Sequence, residues 1–355
     1  MPPAAYGGTE RVVHELVTEL TRRGHEVTTF ASGDSTVPGT LVPTVAQALR
    51  PAGHGGDISG YMLTTMLQVL DRAQEFDLIH SHLEWYSLAL RRATERPVVA
   101  TFHGRLDLPW SRDALADRPD GLVAISESQA SVHPDVPWTI VHNGLTLHAS
   151  PFERRRTDAL VFVGRVTPEK GIVEAIEIAN RSGRPLKIAA KVGPTPHEQA
   201  FNEQVFQPAL KAAGAQVEFL GELSGPDRDA LFAESHAVLM PGSWPEPFGL
   251  VAIEALACGT PVLAKRMGGL DEIIRDRIDG FFGDDVTELA FLVEAVEGLD
   301  REAIRTSVID RFSATRMADG YEAVYARMLG LDEESAGSNL VAMAAGRSRR
   351  SGGEA

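Results

Sequence analysis

The sequence predicts an α/β protein of two domains, each a parallel sheet wound on both faces by helices. Three observations carry this. The 355 residues are more than one hydrophobic core usually serves. Short apolar runs alternate with helix-periodic stretches along most of the chain, the order that builds parallel sheets. With 43% hydrophobic residues, the chain has enough apolar surface for two cores.

The first element is a helix. Gly7-Gly8-Thr9 leads into residues whose apolar positions Val12, Val13, Leu16, Val17 and Leu20 repeat every 3.6 residues. Gly24 closes it, and HEVTTFA reads as a strand. A glycine loop before a helix suits close approach of a phosphate, which makes Gly8 a candidate binding residue. Residues 32–60 are rich in Gly and Pro and read as loop, with TLVPTV as an edge strand. The run YMLTTMLQVLDRAQ predicts a helix, and FDLIHSH, PVVATFHG, GLVAIS and WTIVHNG predict four strands. Ligands of doubly wound sheets bind beyond the strand C-termini. His80, His82, His103, Ser126 and Asn143 all fall at such ends. Taken alone, His103 reads better as a histidine closing a strand end with hydrogen bonds than as a wall of an active site. The His80-x-His82 pair lacks a third ligand at a metal-binding spacing, so no metal site is expected.

Periodicity stops near Leu145 to Arg156, where SPFERRR makes a polar connector. The domains are therefore drawn as 1–148 and 149–311, a terminal helix over 312–331, and a disordered tail over 332–355. The second domain opens on DALVFVGRVTPEKG, a buried strand ending at Gly164, with Arg165 and Lys170 in the loop and a helix starting at GIVEAIEIAN. Each cation alone reads as solvated. Together, after a strand-ending glycine and beside a helix start, they suit a diphosphate. The loop has neither Walker spacing nor a G-x-G-x-x-G fingerprint. LKIAAKV, QVEFLG and HAVLMPGS continue the alternation, with Leu220–Glu222 and Met240–Gly242 placed to line a base pocket. Lys191, at the end of LKIAAKV, reads equally as a ligand contact and as solvated. Asp227-Arg228-Asp229 resembles a metal-binding D-x-D string, but after Gly225-Pro226 it reads as acids favouring a helix start. RMGGLDEIIRDRIDGFFG carries a second glycine loop at Gly268-Gly269.

The stretch Pro241 to Pro261, PGSWPEPFGLVAIEALACGTP, is the densest in chemistry. Pro245 and Pro247 keep Glu246 on a loop. LVAIEALA then makes an apolar helix that Gly259 and Pro261 stop. The N–H groups of Phe248, Gly249 and Leu250 lie where a helix start receives an anion. Glu254 follows about five residues on, roughly 7 Å along the axis, in place to accept hydrogen bonds from a ribose diol. The two glutamates alone are equally read as a buried helix capping its own start.

The full string EPFGLVAIEALACGTPV resembles the nucleotide-sugar segment of retaining glycosyltransferases of family 4, which have the GT-B fold. The resemblance runs from Tyr6 to about Leu331. It implies two Rossmann-like domains facing a cleft, with the last helix packing back on the first domain. It implies an enzyme, a retaining hexosyltransferase taking a nucleotide-diphosphate sugar, UDP-glucose slightly favoured over GDP-mannose. Glu246 then contacts the donor sugar, Phe248 to Leu250 the sugar and phosphate, Glu254 the ribose, and Arg165 and Lys170 the phosphates. His103 falls beside the reacting sugar, and His103 and Glu246 are the catalytic candidates. Neither a cofactor nor a metal is expected. The acceptor is a sugar, a lipid or a small molecule. Two departures stand out: Leu145-Thr146 replaces the hydrophobic-Asp of the family after Asn-Gly, and the apolar first strand of the family has no counterpart, as in a truncated chain or a late start codon. The alternative reading is a non-catalytic or truncated GT-B sugar-nucleotide-binding protein.

Charge and cysteine usage narrow the class further. Thirty-four basic against 49 acidic residues give −15, which argues against a general nucleic-acid binder. The single cysteine, Cys258, excludes an intrachain disulfide and reads as a core residue. No stretch is long and apolar enough to span a bilayer, and no signal peptide is seen, so the cytoplasm is expected, with peripheral membrane contact open.

Overall fold

A computed structural model describes residues 1–2, 7–49, 52, 56–116 and 120–331. The expected disordered tail over 332–355 lies outside the described residues. The chain forms two compact units, one built from residues 7–145 and 314–331, the other from residues 146–313.

The first unit begins with α1 (Gly8–Arg22), followed by β1 (Thr28–Ser32), β2 (Thr40–Val45), α2 (Ser59–Asp71), β3 (Ile79–Ser81), α3 (Tyr86–Ala93) and β4 (Val98–Phe102). Next come α4 (Ser111–Leu115), β5 (Leu122–Ala124), α5 (Glu127–Ala130) and β6 (Thr139–Ile140). β1 and β2 form a parallel pair, and β3-β4-β5-β6 a parallel sheet in chain order. β4 is apolar but for Thr101 because both faces are covered: all five of its residues are buried, with Phe102 in contact with Trp85 and Trp138.

The second unit is a single six-stranded sheet. It contains β7 (Leu160–Arg165), α6 (Ile172–Ser182), β8 (Leu186–Lys191), α7 (Pro196–Phe201), α8 (Gln207–Ala213), β9 (Val217–Gly221), α9 (Gly225–Glu234), β10 (Ala237–Met240) and α10 (Leu250–Ala257). β11 (Val262–Ala264), α11 (Leu270–Ile273), β12 (Gly280–Phe282), α12 (Val286–Leu292) and α13 (Arg301–Phe312) complete it. All neighbouring strands are parallel, in the order β12-β11-β10-β7-β8-β9. Numbered within the unit this is 3-2-1-4-5-6 read from the other edge, the doubly wound order whose direction reverses between β7 and β10. Phe162, Phe206 and Phe232 are fully buried in it, the first two on the face closed by α6 and α12. The final helix, α14 (Ala314–Leu329), belongs to the first unit. It buries Met317, Tyr321, Val324 and Tyr325, and the Arg23 guanidinium and His25 imidazole reach its Glu322 at 2.5 and 2.7 Å. The fold is thus the α/β, parallel-sheet, two-domain arrangement that the alternation of the sequence predicts.

Candidate functional site

The site of the second unit is built where the strand order reverses. The loops leaving β7 and β10 meet there, and glycine is what allows them to. A Cβ on Gly171 would lie 2.7 Å from the backbone nitrogen of Gly242, and one on Gly242 would lie 2.6 Å from the Glu169 carbonyl oxygen. Gly171 also has φ +75°, so both space and backbone require glycine. The Ser243 N–H donates to the Glu169 carbonyl at 3.1 Å and ties the crossing together.

Across this crossing Lys170 meets Glu246, Nζ to Oε2 at 2.5 Å. Both side chains are about one-fifth exposed, 21% and 23%, so the pair faces solvent without being dissolved in it. The Glu246 backbone is held from behind by the second glycine loop. The Gly269 N–H donates to the Glu246 carbonyl at 2.7 Å, and a Cβ on Gly268 would lie 2.2 Å from that same oxygen. Arg165, the last residue of β7, shares its guanidinium between Glu198 at 3.2 Å and Glu169 at 3.3 Å. Glu198 also completes a capping box with Thr195 at the start of α7. The Thr195 hydroxyl, and then the Arg165 charge, hold the Glu198 carboxyl below the usual range against the opposing effect of burial.

Beyond Glu246 the chain turns at Gly249, φ +119°, into α10. Phe248 is 2% exposed and packs edge-on against Phe312, which fixes the turn. The first-turn amides, from Leu250 on, have no carbonyl four residues back within the helix. Glu254 lies inside α10 with only 6% of its side chain exposed, and the Arg228 guanidinium reaches it at 3.0 Å. Lys191 is paired with Glu222 at 3.3 Å.

The second unit thus holds Arg165, Lys170, Glu246, Phe248, Gly249, Leu250 and Glu254 on the loops and helix that follow β7 and β10. Gly8 and His103 belong to the first unit. Gly8 is the first residue of α1, after a Gly7 whose carbonyl accepts the Arg11 N–H at 3.4 Å. His103 follows β4 and joins a histidine cluster: its Nε2 lies 2.9 Å from His82 Nδ1, and the His82 ring lies against that of His80, centroids 4.1 Å apart and planes tilted by 38°. His80 bridges Tyr325 at 2.7 Å and Thr101 at 2.8 Å. Glu84, with φ +51°, accepts the His103 backbone N–H at 3.0 Å. Among the described residues no three His, Cys, Asp or Glu side chains are grouped to hold a metal ion.

Burial lowers all three imidazoles, His80 to about 3, His103 to about 4, and His82 well below the usual value. Each is therefore neutral at pH 7, and the 2.9 Å contact is a bond between one ring N–H and one bare ring nitrogen. The unfolded chain binds these protons near pH 6.5, before the folded chain does. Their contribution to stability is full above that pH and is lost as pH falls toward 4. The ring proton resonances of all three should stay fixed between pH 8 and pH 5.5. A shift of any one of them with a midpoint near 6.5 would contradict the cluster.

Three partners escaped sequence reasoning: Arg228, Glu198 and Glu84. Arg228 carried a signal. It stands three and four residues before the buried Leu231 and Phe232, on the inward face of α9. Glu198 and Glu84 carry none that spacing reveals.

With this geometry in view, the class of protein follows from its likeness to known ones. The structure of AviGT4, a glycosyltransferase involved in avilamycin A biosynthesis, superposes with a TM-score of 0.70 at 24% identity, covering 93% of this chain and 92% of that one. Anabaena Alr3699/HepE, solved in complex with UDP and glucose, gives 0.69 at 19% identity over 90% and 96%. The fold is GT-B. The family model described as glycosyl transferases group 1 matches residues 146–301, and that described as glycosyltransferase family 4 matches residues 6–148. A D-inositol 3-phosphate glycosyltransferase of Mycolicibacterium paratuberculosis is 31% identical over 356 residues, 83% of this chain and 78% of its own. A glycogen synthase of Mycobacterium tuberculosis is 29% identical over 357 residues, 83% of each chain. This chain belongs to the GT-B glycosyltransferases.

Proposed function

We propose that the protein is a retaining hexosyltransferase of family 4. It takes a nucleotide-diphosphate sugar, with UDP-glucose favoured over GDP-mannose, and works without a metal. The observation that carries this is the contact of Lys170 with Glu246 across the crossing of the β7 and β10 loops. It sets a phosphate-seeking cation beside a sugar-seeking carboxylate, at the reversal point where doubly wound sheets bind nucleotides.

As the bond between sugar and diphosphate breaks, the sugar becomes cationic and the leaving diphosphate gains charge. Arg165, Lys170 and the first amides of α10 stabilise the diphosphate. Glu246 orients the sugar, Glu254 takes the ribose hydroxyls, and the α10 start fixes the spacing between them. His103, neutral at pH 7, acts as a hydrogen-bonding group toward the sugar, not as a cation. Retention proceeds by attack on the face the diphosphate leaves, with the leaving phosphate helping to take the acceptor proton. Gly8, at the start of α1, is proposed as a further contact for the donor phosphates. The protein is proposed to work in the cytoplasm, and its acceptor to be a sugar, a lipid or a small molecule.

Calorimetry with UDP and GDP in the presence of a chelator tests the donor site. One of the two should bind with micromolar to sub-millimolar affinity, and binding of neither would sink the reading. Proton spectra of product from the matching sugar nucleotide then give the anomeric configuration: inversion would refute the retaining assignment.

A further inference from the structure

Arg228 is a largely enclosed cation of the second unit that the reading above leaves without work. It sits one turn into α9, whose start is capped by Ser224, and points inward with 13% of its side chain exposed. Its guanidinium grips Asp229 Oδ1 through Nε at 3.1 Å and Nη2 at 2.7 Å, and the same Nη2 lies 3.0 Å from Glu254 Oε1. Burial opposes its charge, but Glu254 and Asp229 outweigh that and hold its pKa above the usual value.

A carboxylate as enclosed as Glu254 can still choose among rotamers unless a fixed partner stands beside it. A guanidinium is planar and always charged, and one fixed in place supplies such a partner. Oε1 is held by charge, not by a hydrogen bond: its contact with Nη2 is an ion pair, while the hydrogen bonds of the guanidinium go to Asp229 and fix where that charge stands. The setting of the carboxylate thus depends on α9 as well as on α10. We infer that Arg228 is a positioning residue that aims Glu254, and so sets how strongly the site prefers a ribose to a 2′-deoxyribose. This rests on the reading of Glu254 as the ribose group.

The two ideas separate in one experiment. The affinities of UDP, 2′-deoxy-UDP, GDP, 2′-deoxy-GDP and inorganic pyrophosphate are measured for the full chain and for Arg228→Met. The unaltered protein should prefer its ribonucleotide to the deoxy form by roughly 10- to 100-fold, the range of a hydrogen bond to a charged group. In Arg228→Met that preference should fall to about threefold or less, while pyrophosphate affinity changes by no more than about threefold. A purely structural role would weaken ribo, deoxy and pyrophosphate ligands together and leave the ratio unchanged, which overturns the inference. A parent protein with no ribose preference overturns the reading of Glu254 itself, and the inference with it. Should Arg228→Met fail to fold, Arg228→Lys keeps the charge without the fork, and Asp229→Asn frees the fork from behind. Each is read by the same ratio, expected between the two extremes, and an unchanged ratio in both counts against Arg228.

Discussion

Lys170→Ala should lower turnover by about 10²- to 10³-fold or more, the loss seen when one preorganised charge on a developing anion is removed. Two effects act in the same direction. The variant loses a cation from the proposed diphosphate site, and Glu246 loses the partner 2.5 Å away that orients it. Arg165→Ala should act on the phosphates alone, because its partners are Glu198 and Glu169. Stability should change by less than about 1 kcal/mol in the Lys170 variant, since exchanging one partner of a partly exposed pair costs little. A cycle with Glu246→Gln separates the terms. If Lys170 acts through Glu246 as well as on phosphate, the double variant should be markedly less impaired than the product of the singles. Near-normal turnover in both Lys170→Ala and Arg165→Ala would remove the phosphate assignment.

Gly268→Ala is the second large effect, and it acts from outside the contact with ligand. The added methyl would lie 2.2 Å from the Glu246 carbonyl oxygen and 2.5 Å from its nitrogen, both backbone atoms with no side-chain freedom to yield. Gly268 also has φ +61°, where a Cβ is strained. The expected cost is about 2–4 kcal/mol, from strain and overpacking together. The displaced atoms are those of the proposed sugar-binding residue, so activity in the surviving folded protein should fall by at least about tenfold. Gly269→Ala meets its neighbours at 2.9 to 3.0 Å and should be milder on both counts. Thermal melting with activity on the same samples checks this; a Gly268→Ala protein with unchanged melting and unchanged turnover would falsify the account of the glycine loop.

The strands were legible in the sequence because buried parallel strands are continuous apolar runs. ALVFVG, PVLA and PVVATF left no other reading, and even TLVPTV, with a proline inside, pairs with β1 as an edge allows. The helix of Leu250–Ala257 was legible from its stops: proline before it, glycine and proline after it. What was not legible is which charges meet. Lys170 and Glu246 are 76 positions apart, and Arg165 and Glu198 are 33 apart. Those separations close only when β7 lies beside β10 and β8 in the sheet. The Asp-Arg-Asp string shows the limit most clearly. Its helix-start reading is right for Asp227, whose N–H meets the Ser224 cap, yet says nothing of Arg228, which turns inward to α10. Local propensity fixes where a helix begins, and only packing decides what its inner face touches.

α14 also bears on how the chain is made. The unit it belongs to is discontinuous: residues 7–145 are synthesised first, and the helix that completes them only after residues 146–313 have followed. Until then Thr101 and His80 lack the hydroxyls of Tyr321 and Tyr325, and Arg23 and His25 lack Glu322. Among the described residues the second unit is continuous in sequence, so its elements are all synthesised before the first unit has its last helix. A chain that ends at residue 313 holds every element of the second unit but lacks the last helix of the first, the reverse of the order in which the two were begun.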